Sequence, residues 1–438
     1  MAVQIPFSTI DQARQTAVVE DAFFTYLLQQ CLVDNLEESW LKDIRQQSKT
    51  WLSNLSVPTK KDEEWRFLDL ADLIARKFLT SSIVKASSFS PTLETKKSCL
   101  VFLNGRYNSE LSDISELPDG IYVGSLNDLP KDYDPSKYFA QQHGSQTAFT
   151  ALNTAGGSDI AVIWANKNAI VKTPVHLVFI TNSDSEPVFT QPRSMIVAES
   201  NASISVLEEY IGTGEYFTNA VTEVFVQDNA RLNHTRIQEE SDTSFHIGKT
   251  AISQQRDSHY TISEINLGAK LSRHNPEAWQ QGEHTETDFN GLTVVTEAQT
   301  SDTHSVVALT KPSGMTNQLH KCIVDDRAHT VFNGKVFVTK EAQLTDATQL
   351  NRNLLLSSKA RVDTKPELQI TADNVKCAHG ATVSQLEADE IFYLRSRGLN
   401  ESEANQLLID AFAAEIIDRI PLASLRDRIT QAIEHKIK

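Results

Sequence analysis

The stretch QLTDATQLNRNLLLSSKARVDTKPELQITADNVKC, residues 343–377, decides the fold of this chain. Its short runs alternate between apolar and polar residues, a period of two that is typical of β-strands. Four amide side chains are suited to ladders at the corners of stacked coils: Gln343, Gln349, Asn351 and Asn353. Two apolar pairs are expected to fill the interior of such coils: Leu354 with Leu356, and Leu368 with Ile370. The stretch therefore favours a β-helix.

A polar or glycine residue followed by alanine recurs across residues 159–380, and most of these pairs lead into an alternating run. The pairs are Asn168-Ala169, Asn201-Ala202, Asn229-Ala230, Gly268-Ala269, Arg327-Ala328, Glu341-Ala342 and Lys359-Ala360. Their spacing varies from 14 to 59 residues, whereas a propeller or a leucine-rich repeat keeps a fixed period. A β-helix tolerates loops of unequal length because each coil only has to stack on its neighbours. A two-sheet sandwich is the competing architecture, and the more polar residues 241–300 are expected to form exposed strands.

The whole chain is predicted to be mainly β with α-helical flanks. Its regions are expected at residues 1–95 (N-terminal helical region), 96–158 (mixed connecting region), 159–380 (β-helix core) and 381–438 (C-terminal helical region). In the last region, Gly398 is a natural end for one helix, and Asn400 with Glu403 forms a capping box for the next. Such helices can cap a solenoid or dock a partner.

Composition narrows the classes of partner. Among 438 residues, Lys and Arg total 41 and Asp and Glu total 57, so the formal charge is 41 − 57 = −16. This charge opposes non-specific binding to nucleic acid or to anionic membranes. Apolar runs are far shorter than the roughly 20 residues that span a bilayer, and the first ten residues lack the pattern of a signal peptide. We therefore expect a cytoplasmic protein with no nucleic-acid or membrane partner.

The sequence carries none of the common catalytic motifs. The segment ending in HIGKT lacks the first glycine of a phosphate-binding loop, because Thr243 occupies that position. No dinucleotide fingerprint, GxSxG elbow or HExxH pair is present. The four cysteines are scattered and form neither a CxxC pair nor a disulfide framework, so we expect reduced thiols: Cys31, Cys99, Cys322 and Cys377.

Cys377 and His379 stand two residues apart in NVKCAHG, just before a helical pattern begins. In an extended strand they share one face. An imidazole on such a face needs a hydrogen-bond partner, a metal or a subunit interface. Since two ligands do not close a metal site, the spacing leaves two alternatives open, a packed pair or part of a shared site.

A resemblance to a known family rests on two motifs. The segment from Phe332 to Gly398 resembles the core of the SufB/SufD family, the scaffold subunits of the Suf iron–sulfur cluster assembly machine. PTKKDEEWRFLDL, residues 58–70, is similar to the N-terminal signature of that family, and its matching residues are Pro58, Glu64, Trp65 and Arg66. SSKARVDTKPELQI and CAHGATVS replace the CGAHT-like and EHEATTS segments of SufB-like chains, so the resemblance is strongest to the SufD branch.

The resemblance implies a right-handed parallel β-helix and a non-catalytic scaffold function. It implies a heterodimer with SufB across the β-helices, and a SufC ABC-type ATPase docked on the C-terminal helices. His379 would lie at the SufB interface as a candidate ligand of iron or of the nascent cluster, with Cys377 as the weaker candidate. No cofactor would be bound stably by this chain alone, because any iron or transient iron–sulfur cluster would be shared with SufB.

Six residues are candidate contacts for the ATPase: Glu387, Glu390, Tyr393, Arg395, Arg397 and Phe412. In the N-terminal signature, Trp65 is expected to anchor the core, with Arg66 paired to Glu63 or Glu64. The isolated chain is expected to form a homodimer, because strand edges that would meet SufB are exposed without it. A purely architectural subunit and a β-helical carbohydrate-active enzyme are the alternative functions.

Overall fold

The computed structural model describes residues 23–31, 38–80 and 89–437. The predicted N-terminal helical region, residues 1–95, is described only in part, and its residues 1–22, 32–37 and 81–88 lie outside the described part of the chain. The helices are α1 (residues 23–30), α2 (Ser39–Leu52), α3 (Ala71–Ile74), α4 (Ala148–Gly156), α5 (Ala388–Ser396), α6 (Glu401–Ile417) and α7 (Ala423–Lys436). None of the helices in these residues is long and apolar enough to cross a membrane.

Two ten-stranded sheets, sheet A and sheet B, form the core. The strands are β1 (Cys99–Leu103), β2 (Arg106–Tyr107), β3 (Ile121–Ser125), β4 (Ile160–Ala165), β5 (Val175–Asn182), β6 (Val188–Thr190), β7 (Arg193–Ala198), β8 (Ser203–Thr213), β9 (Tyr216–Val226), β10 (Arg231–Glu239), β11 (Phe245–Gln254), β12 (His259–Asn266), β13 (Leu271–Gln280), β14 (Glu286–Val295), β15 (Thr300–Leu309), β16 (Met315–Val324), β17 (His329–Val338), β18 (Asp346–Leu355), β19 (Arg361–Ile370) and β20 (Lys376–Gln385). Sheet A has the order β19-β17-β15-β13-β11-β9-β7-β4-β3, with β6 beside β9. Sheet B has the order β2-β1-β5-β8-β10-β12-β14-β16-β18-β20.

From β8 onward the chain alternates between the two sheets, and each strand pairs in parallel with the strand two positions away. This is a parallel β-solenoid of about eight turns with helices at both ends of the chain. The predicted β-helix is therefore confirmed, and the sandwich alternative is wrong. The antiparallel pairs among the named strands lie at the start of the solenoid, between β1 and β2 and between β3 and β4.

The interior of the β-helix carries a ladder of charged and polar side chains. The register of β8, β10, β12, β14 and β16 stacks Glu208, Arg236, Glu264, Gly291 and His320 on successive turns. Arg236 lies 3.5 Å from Glu264, and both are buried. Burial raises the pKa of Glu208, but His234, Thr222 and Arg236 together outweigh burial and hold that pKa at about 2. Ionised groups are therefore compensated inside the core rather than excluded from it.

The outer face of sheet B is apolar because α6 and α7 cover it. A single buried cluster joins Leu207, Ile237, Ile265 and Leu292 of the sheet to Ile409, Ile416, Leu425, Ile429 and Ile433 of the helices. Each such side chain contributes roughly 1.5–3 kcal/mol when fully buried. Arg428 of α7 also pairs with the buried Glu209 on the same face. The two helices are thus fixed to the side of the β-helix.

This arrangement corrects the prediction for the stretch that decides the fold. Gln349 and Asn351 lie inside strand β18, not at a corner, and their amides donate to Gln318 Oε1 at 2.7 Å and to the His320 carbonyl at 3.0 Å. Leu354 points the other way and joins the cluster under α6 and α7. A period of two predicts the strand but does not say which face is the interior.

The expected exposure of residues 241–300 is also wrong. Strands β11 to β15 are mostly buried, because their polar residues face either the ladder in the interior or covered outer surfaces. His274, for example, is 3% exposed and bonds through Nε2 to Thr250 Oγ1 at 2.9 Å. Polarity here reflects a polar core and not solvent contact.

Asparagines in the left-handed backbone region form the corner ladder. Asn168, Asn201 and Asn229 have φ angles of 66°, 63° and 57°, a region that asparagine tolerates better than most residues. Asn229 donates to Asn201 Oδ1, and Asn201 donates to Asn168 Oδ1, each at 2.8 Å. Three of the recurring pairs noted in the sequence therefore mark corners of successive turns.

The predicted capping box of α6 is confirmed. Asn400 Oδ1 accepts from the Glu403 backbone N–H at 2.9 Å, and the Glu403 carboxylate accepts from the Asn400 N–H at 2.8 Å. Gly398 has a φ of +102° and follows the end of α5, as expected for a glycine that ends a helix. The chain thus turns sharply from α5 into α6.

The N-terminal signature contacts sheet A through Trp65. The Arg273 guanidinium lies 3.9 Å from the centroid of the Trp65 ring and donates to the Glu64 carbonyl at 2.7 Å. Glu64 is also 3.1 Å from His304 Nδ1. The half-buried indole therefore stacks on a cation of the β-helix, in addition to packing on Phe149.

The expected pairing of Arg66 with Glu63 or Glu64 is wrong. Glu63 pairs with Lys365 at 3.0 Å, and Glu64 pairs with His304 at 3.1 Å. Both carboxylates face the β-helix because the short helical turn Glu63–Trp65 lies against strands β13 to β19.

Candidate functional site

In the part of the chain that the structure describes, the last turn of the β-helix has open edges in both sheets. Strand β20 pairs with β18 on one side and ends sheet B, while β19 pairs with β17 and ends sheet A. Most residues of β20 are exposed and most of β19 are half-buried, in contrast to the buried strands of the preceding turns. The described residues contain no strand, helix or cap on this end. Unpaired edges of this kind present backbone N–H and C=O groups to a further strand.

Cys377 and His379 both lie on the inward-facing row of β20. Cys377 is in register with Ala347, and His379 with Gln349, whose side chain is buried in the interior. The two predicted residues are therefore brought to one face, as the spacing requires. They differ in exposure: Cys377 is half-buried against the core, whereas His379 is exposed.

The thiol of Cys377 is not activated in the isolated chain. Burial raises its pKa, and the charge of Asp346 raises it further. A thiol with a raised pKa is a poor nucleophile and a poor metal ligand until a cation or a metal favours the thiolate. Cys31, Cys99 and Cys322 are more strongly affected, since burial raises their pKa values to about 11, 12 and 12. Of the four cysteines, Cys377 is the one at the open end.

Within residues 23–31, 38–80 and 89–437, no group of three His, Cys, Asp or Glu side chains is arranged to hold a metal ion. Iron–sulfur clusters need more protein ligands than the two residues at this end supply. Whether Cys377 and His379 bind iron stays a prediction.

The predicted ATPase contacts fall into two groups. Glu387, Glu390, Tyr393, Arg395 and Arg397 all lie on or next to α5 and are exposed. α5 buries none of its residues. Arg397 lies 5.3 Å from the Tyr393 ring centroid, and Arg395 pairs with Glu401 at 3.3 Å.

Phe412 belongs to a different environment. It is half-buried on α6, with the Lys321 ammonium 4.4 Å from its ring centroid and donating to its carbonyl at 2.8 Å. Lys321 also pairs with Glu415 at 2.5 Å. Phe412 therefore helps to fix α6 to strand β16, whatever further contact it makes.

Sequence reasoning missed the most exposed apolar side chain of this region. Phe392 is 75% exposed, more than Tyr393 at 56%. The pattern EIFYL does not show which apolar residues of a short helix face solvent, because α5 packs on little of the core. A signal was nevertheless present, since two adjacent aromatic residues cannot both face one side of a helix.

The fold and this end of it define a class of protein, a β-helix with one face covered by helices and, among the described residues, unpaired strand edges at its last turn. Comparison with known proteins gives the family. The model of the SUF system FeS cluster assembly SufBD core domain matches residues 179–412, and that of the SufBD protein N-terminal region matches residues 23–177. The chain belongs to the SufBD family of iron–sulfur cluster assembly proteins.

Individual relatives agree with this assignment. The chain is 49% identical to an iron–sulfur cluster assembly SufBD family protein of Synechocystis, over 93% of each chain. It is 35% identical to the chloroplastic protein ABCI7 of Arabidopsis thaliana, over 96% of this chain and 92% of the relative. It is 31% identical to the iron–sulfur cluster assembly protein SufD of Escherichia coli, over 90% and 92% of the two chains. The resemblance predicted from the two motifs is confirmed.

Proposed function

We propose that this chain is a non-catalytic scaffold subunit of the Suf iron–sulfur cluster assembly complex and acts with SufB and the ABC-type ATPase SufC. The family match supports a role in iron–sulfur cluster assembly. The observation that carries the proposal is the open terminal turn, where β19 and β20 each leave one edge unpaired among the described residues. Four free cysteines are in keeping with a reducing compartment, and we expect the complex to form in the cytoplasm.

SufB would continue both sheets past β19 and β20. The inward-facing row of β20 would then meet the corresponding row of the partner, so that Cys377 and His379 would become buried at the junction. A neutral imidazole is an acceptable iron ligand, and a thiol can bind iron as thiolate. The iron or nascent cluster is the cargo of this junction, and it would be held by ligands from both chains and bound stably by neither alone.

SufC would dock on the C-terminal helices. The support is the exposed surface of α5, with Phe392 and Tyr393 between the charged side chains Glu390 and Arg395. Exposed aromatic residues with charged neighbours are common anchors of protein interfaces. Since α6 and α7 are fixed to the outer face of sheet B, movement of the ATPase would be transmitted to the β-helix.

The edge is tested by placing a charge on it. Val383 is 51% exposed in β20, so Val383→Lys should fold normally but should disfavour the addition of a strand. The matched control is Ile170→Lys, which alters a residue that is 60% exposed at an isolated bridge near the start of the solenoid. On co-expression with SufB and SufC, we expect Val383→Lys to recover at least tenfold less SufB than the wild type and the control. Equal recovery from both variants would reject the edge as the SufB interface.

The same variant tests the expected homodimer of the isolated chain. Light scattering on the purified chain should give a dimer for the wild type and for Ile170→Lys, and a monomer for Val383→Lys. A wild-type monomer would show that the edge does not pair with itself.

A further inference from the structure

A ladder of amide side chains runs through the interior of the β-helix toward the open terminal turn. Gln318 of β16 and Gln349 of β18 are in register, and both are buried. Gln318 Nε2 donates to Ser305 Oγ at 2.6 Å, and Gln349 Nε2 donates to Gln318 Oε1 at 2.7 Å. Each amide nitrogen therefore donates toward the start of the solenoid.

The ladder ends in a buried oxygen that has no donor. Gln349 Oε1 accepts no hydrogen bond from the described residues. Gln318 shows which way such an oxygen faces, since its own Oε1 accepts from the side chain one turn further on. The nitrogen and the oxygen of an amide diverge from one carbon, so the Gln349 oxygen faces away from Gln318 and toward the last turn. Nearly all buried polar atoms have a hydrogen-bond partner, so this free acceptor needs an explanation.

Two residues of the terminal turn continue the rows that hold this amide. The Gln349 amide approaches Gly334 of β17 so closely that a Cβ there would collide with it. His379 is in register with Gln349, and Pro366 is in register with Gly334. Proline has neither an N–H nor a polar side chain, whereas a neutral imidazole has one N–H donor and one acceptor nitrogen. Of the two residues, His379 is therefore the one that can donate to Gln349.

The ring of His379 is free to make this bond. It is exposed, and no side chain or backbone group in the described part of the chain is hydrogen-bonded to it. Neighbouring strands lie about 4.8 Å apart, a separation that the bond between Gln349 and Gln318 already spans. Rotation of the exposed side chain would bring a ring N–H to the Gln349 oxygen, and a further turn of β-helix from SufB would hold the ring there.

We propose that Gln349 is a positioning residue for His379. Its Oε1 accepts the N–H of one ring nitrogen, so that the lone pair of the other nitrogen faces the iron or nascent cluster at the SufB junction. The inference rests on the proposed function and names the group that orients its candidate ligand. A histidine that binds a metal almost always donates its other ring N–H to such an acceptor, and loss of the acceptor typically weakens metal binding about 10–100-fold.

Anaerobic titration of iron(II) into the purified complex with SufB and SufC tests the proposal. Gln349→Met keeps the length of the side chain but removes the oxygen, so it should weaken the affinity for iron at least tenfold. Gln349→Glu keeps an oxygen acceptor and should bind iron at least as tightly as the wild type. Mössbauer spectra of the bound iron should change in Gln349→Met and not in Gln349→Glu. The matched control Gln254→Met removes another amide that is 1% exposed, in strand β11, and should have no effect.

Recovery of SufB with each variant shows that the chain folds and assembles, and Gln349→Leu replaces Gln349→Met if the latter does not fold. Wild-type affinity in the variant without the oxygen, while His379→Ala loses its iron, would overturn the positioning role and leave the proposed function intact. Equal weakening in Gln349→Glu would also overturn it, because packing and not the oxygen would then matter. Iron retained by His379→Ala would reject the ligand role of His379 and this inference with it.

Discussion

His379 lies in register beside Gln349 on the same inward-facing row, yet Gln349 is 1% exposed and His379 is exposed. The amide of Gln349 donates to Gln318 one turn back, at 2.7 Å, whereas no turn follows His379 in the described chain. The histidine therefore occupies a position that is interior in the preceding turns, but it lies on the last described turn of the β-helix, where no further turn covers it. This relationship explains why a polar, metal-competent side chain stands at the end of the solenoid.

The aromatic surface of α5 should carry much of the affinity for the ATPase. We expect Phe392→Ala to weaken SufC binding at least tenfold, because large exposed aromatic side chains are frequent energetic centres of interfaces. Stability should change by less than about 0.5 kcal/mol, since the side chain is already in solvent. Surface plasmon resonance with purified SufC measures the affinity. Ile170→Ala, which removes a side chain that is 60% exposed near the start of the solenoid, is the control. Equal loss of affinity in both would contradict this docking surface.

The interior ladder should depend on Arg236. Its removal leaves the buried Glu264 carboxylate without its nearest cation on the ladder, so Arg236→Ala should lower the free energy of unfolding by about 3–5 kcal/mol. Arg231 lies on the same strand and is exposed, so Arg231→Ala should cost less than about 0.5 kcal/mol. Urea unfolding followed by circular dichroism compares the two. A loss below 1 kcal/mol for Arg236→Ala would show that the ladder is solvated.

The close approach of the His320 ring on the ladder requires glycine at position 291. A Cβ at this position would stand 2.1 Å from His320 Nδ1, so Gly291→Ala should destabilise the fold by about 1–3 kcal/mol. In the background His320→Ala the same change should cost much less, since the clashing ring is gone. A double-mutant cycle from urea unfolding measures the coupling. Additive effects of the two changes would contradict the predicted contact.

Acid should weaken the fold through His320. Burial lowers the pKa of His320 to about 4, against 6.5 for the free side chain, although Glu264 acts in the opposite direction. At a pH between these two pKa values, His320 binds a proton in the unfolded chain but not in the folded chain. Stability should therefore fall as the pH falls from 6.5 to 4, by up to about 1.4 kcal/mol per pH unit.

His320→Gln removes the group that binds this proton, so it should reduce the slope of stability against pH between the two pKa values. His284, which is 57% exposed, supplies the control variant His284→Gln. Unfolding by urea at a series of pH values gives both slopes. A wild-type slope retained in His320→Gln would mean that other groups account for the acid response.

Particular residues show how far sequence reasoning reached. The alternation in residues 343–377 predicted β-strands, and the pair Asn400 and Glu403 predicted a helix start, because both signals are local. The interior was assigned to the wrong face at Leu354, since only the distant helices α6 and α7 make the outer face of sheet B apolar. Local period does not contain that information.

The site was predicted in the same uneven way. The shared face of Cys377 and His379 follows from a spacing of two and was found in the structure. Their different exposure depends on where the solenoid stops, which no local pattern states. Likewise, Glu63 pairs with Lys365 and Glu64 with His304, and these partners are about 300 and 240 residues away along the chain.

The most direct test of the account is anaerobic cluster reconstitution on the complex of this chain with SufB and SufC, followed by absorption and Mössbauer spectra. Wild type is compared with His379→Ala, with Cys377→Ser, and with the exposed control His284→Ala. We predict that all four complexes assemble equally and that His379→Ala loses the cluster or its iron while His284→Ala retains it. The same cluster in His379→Ala and wild type would contradict the account and make this subunit a purely architectural one.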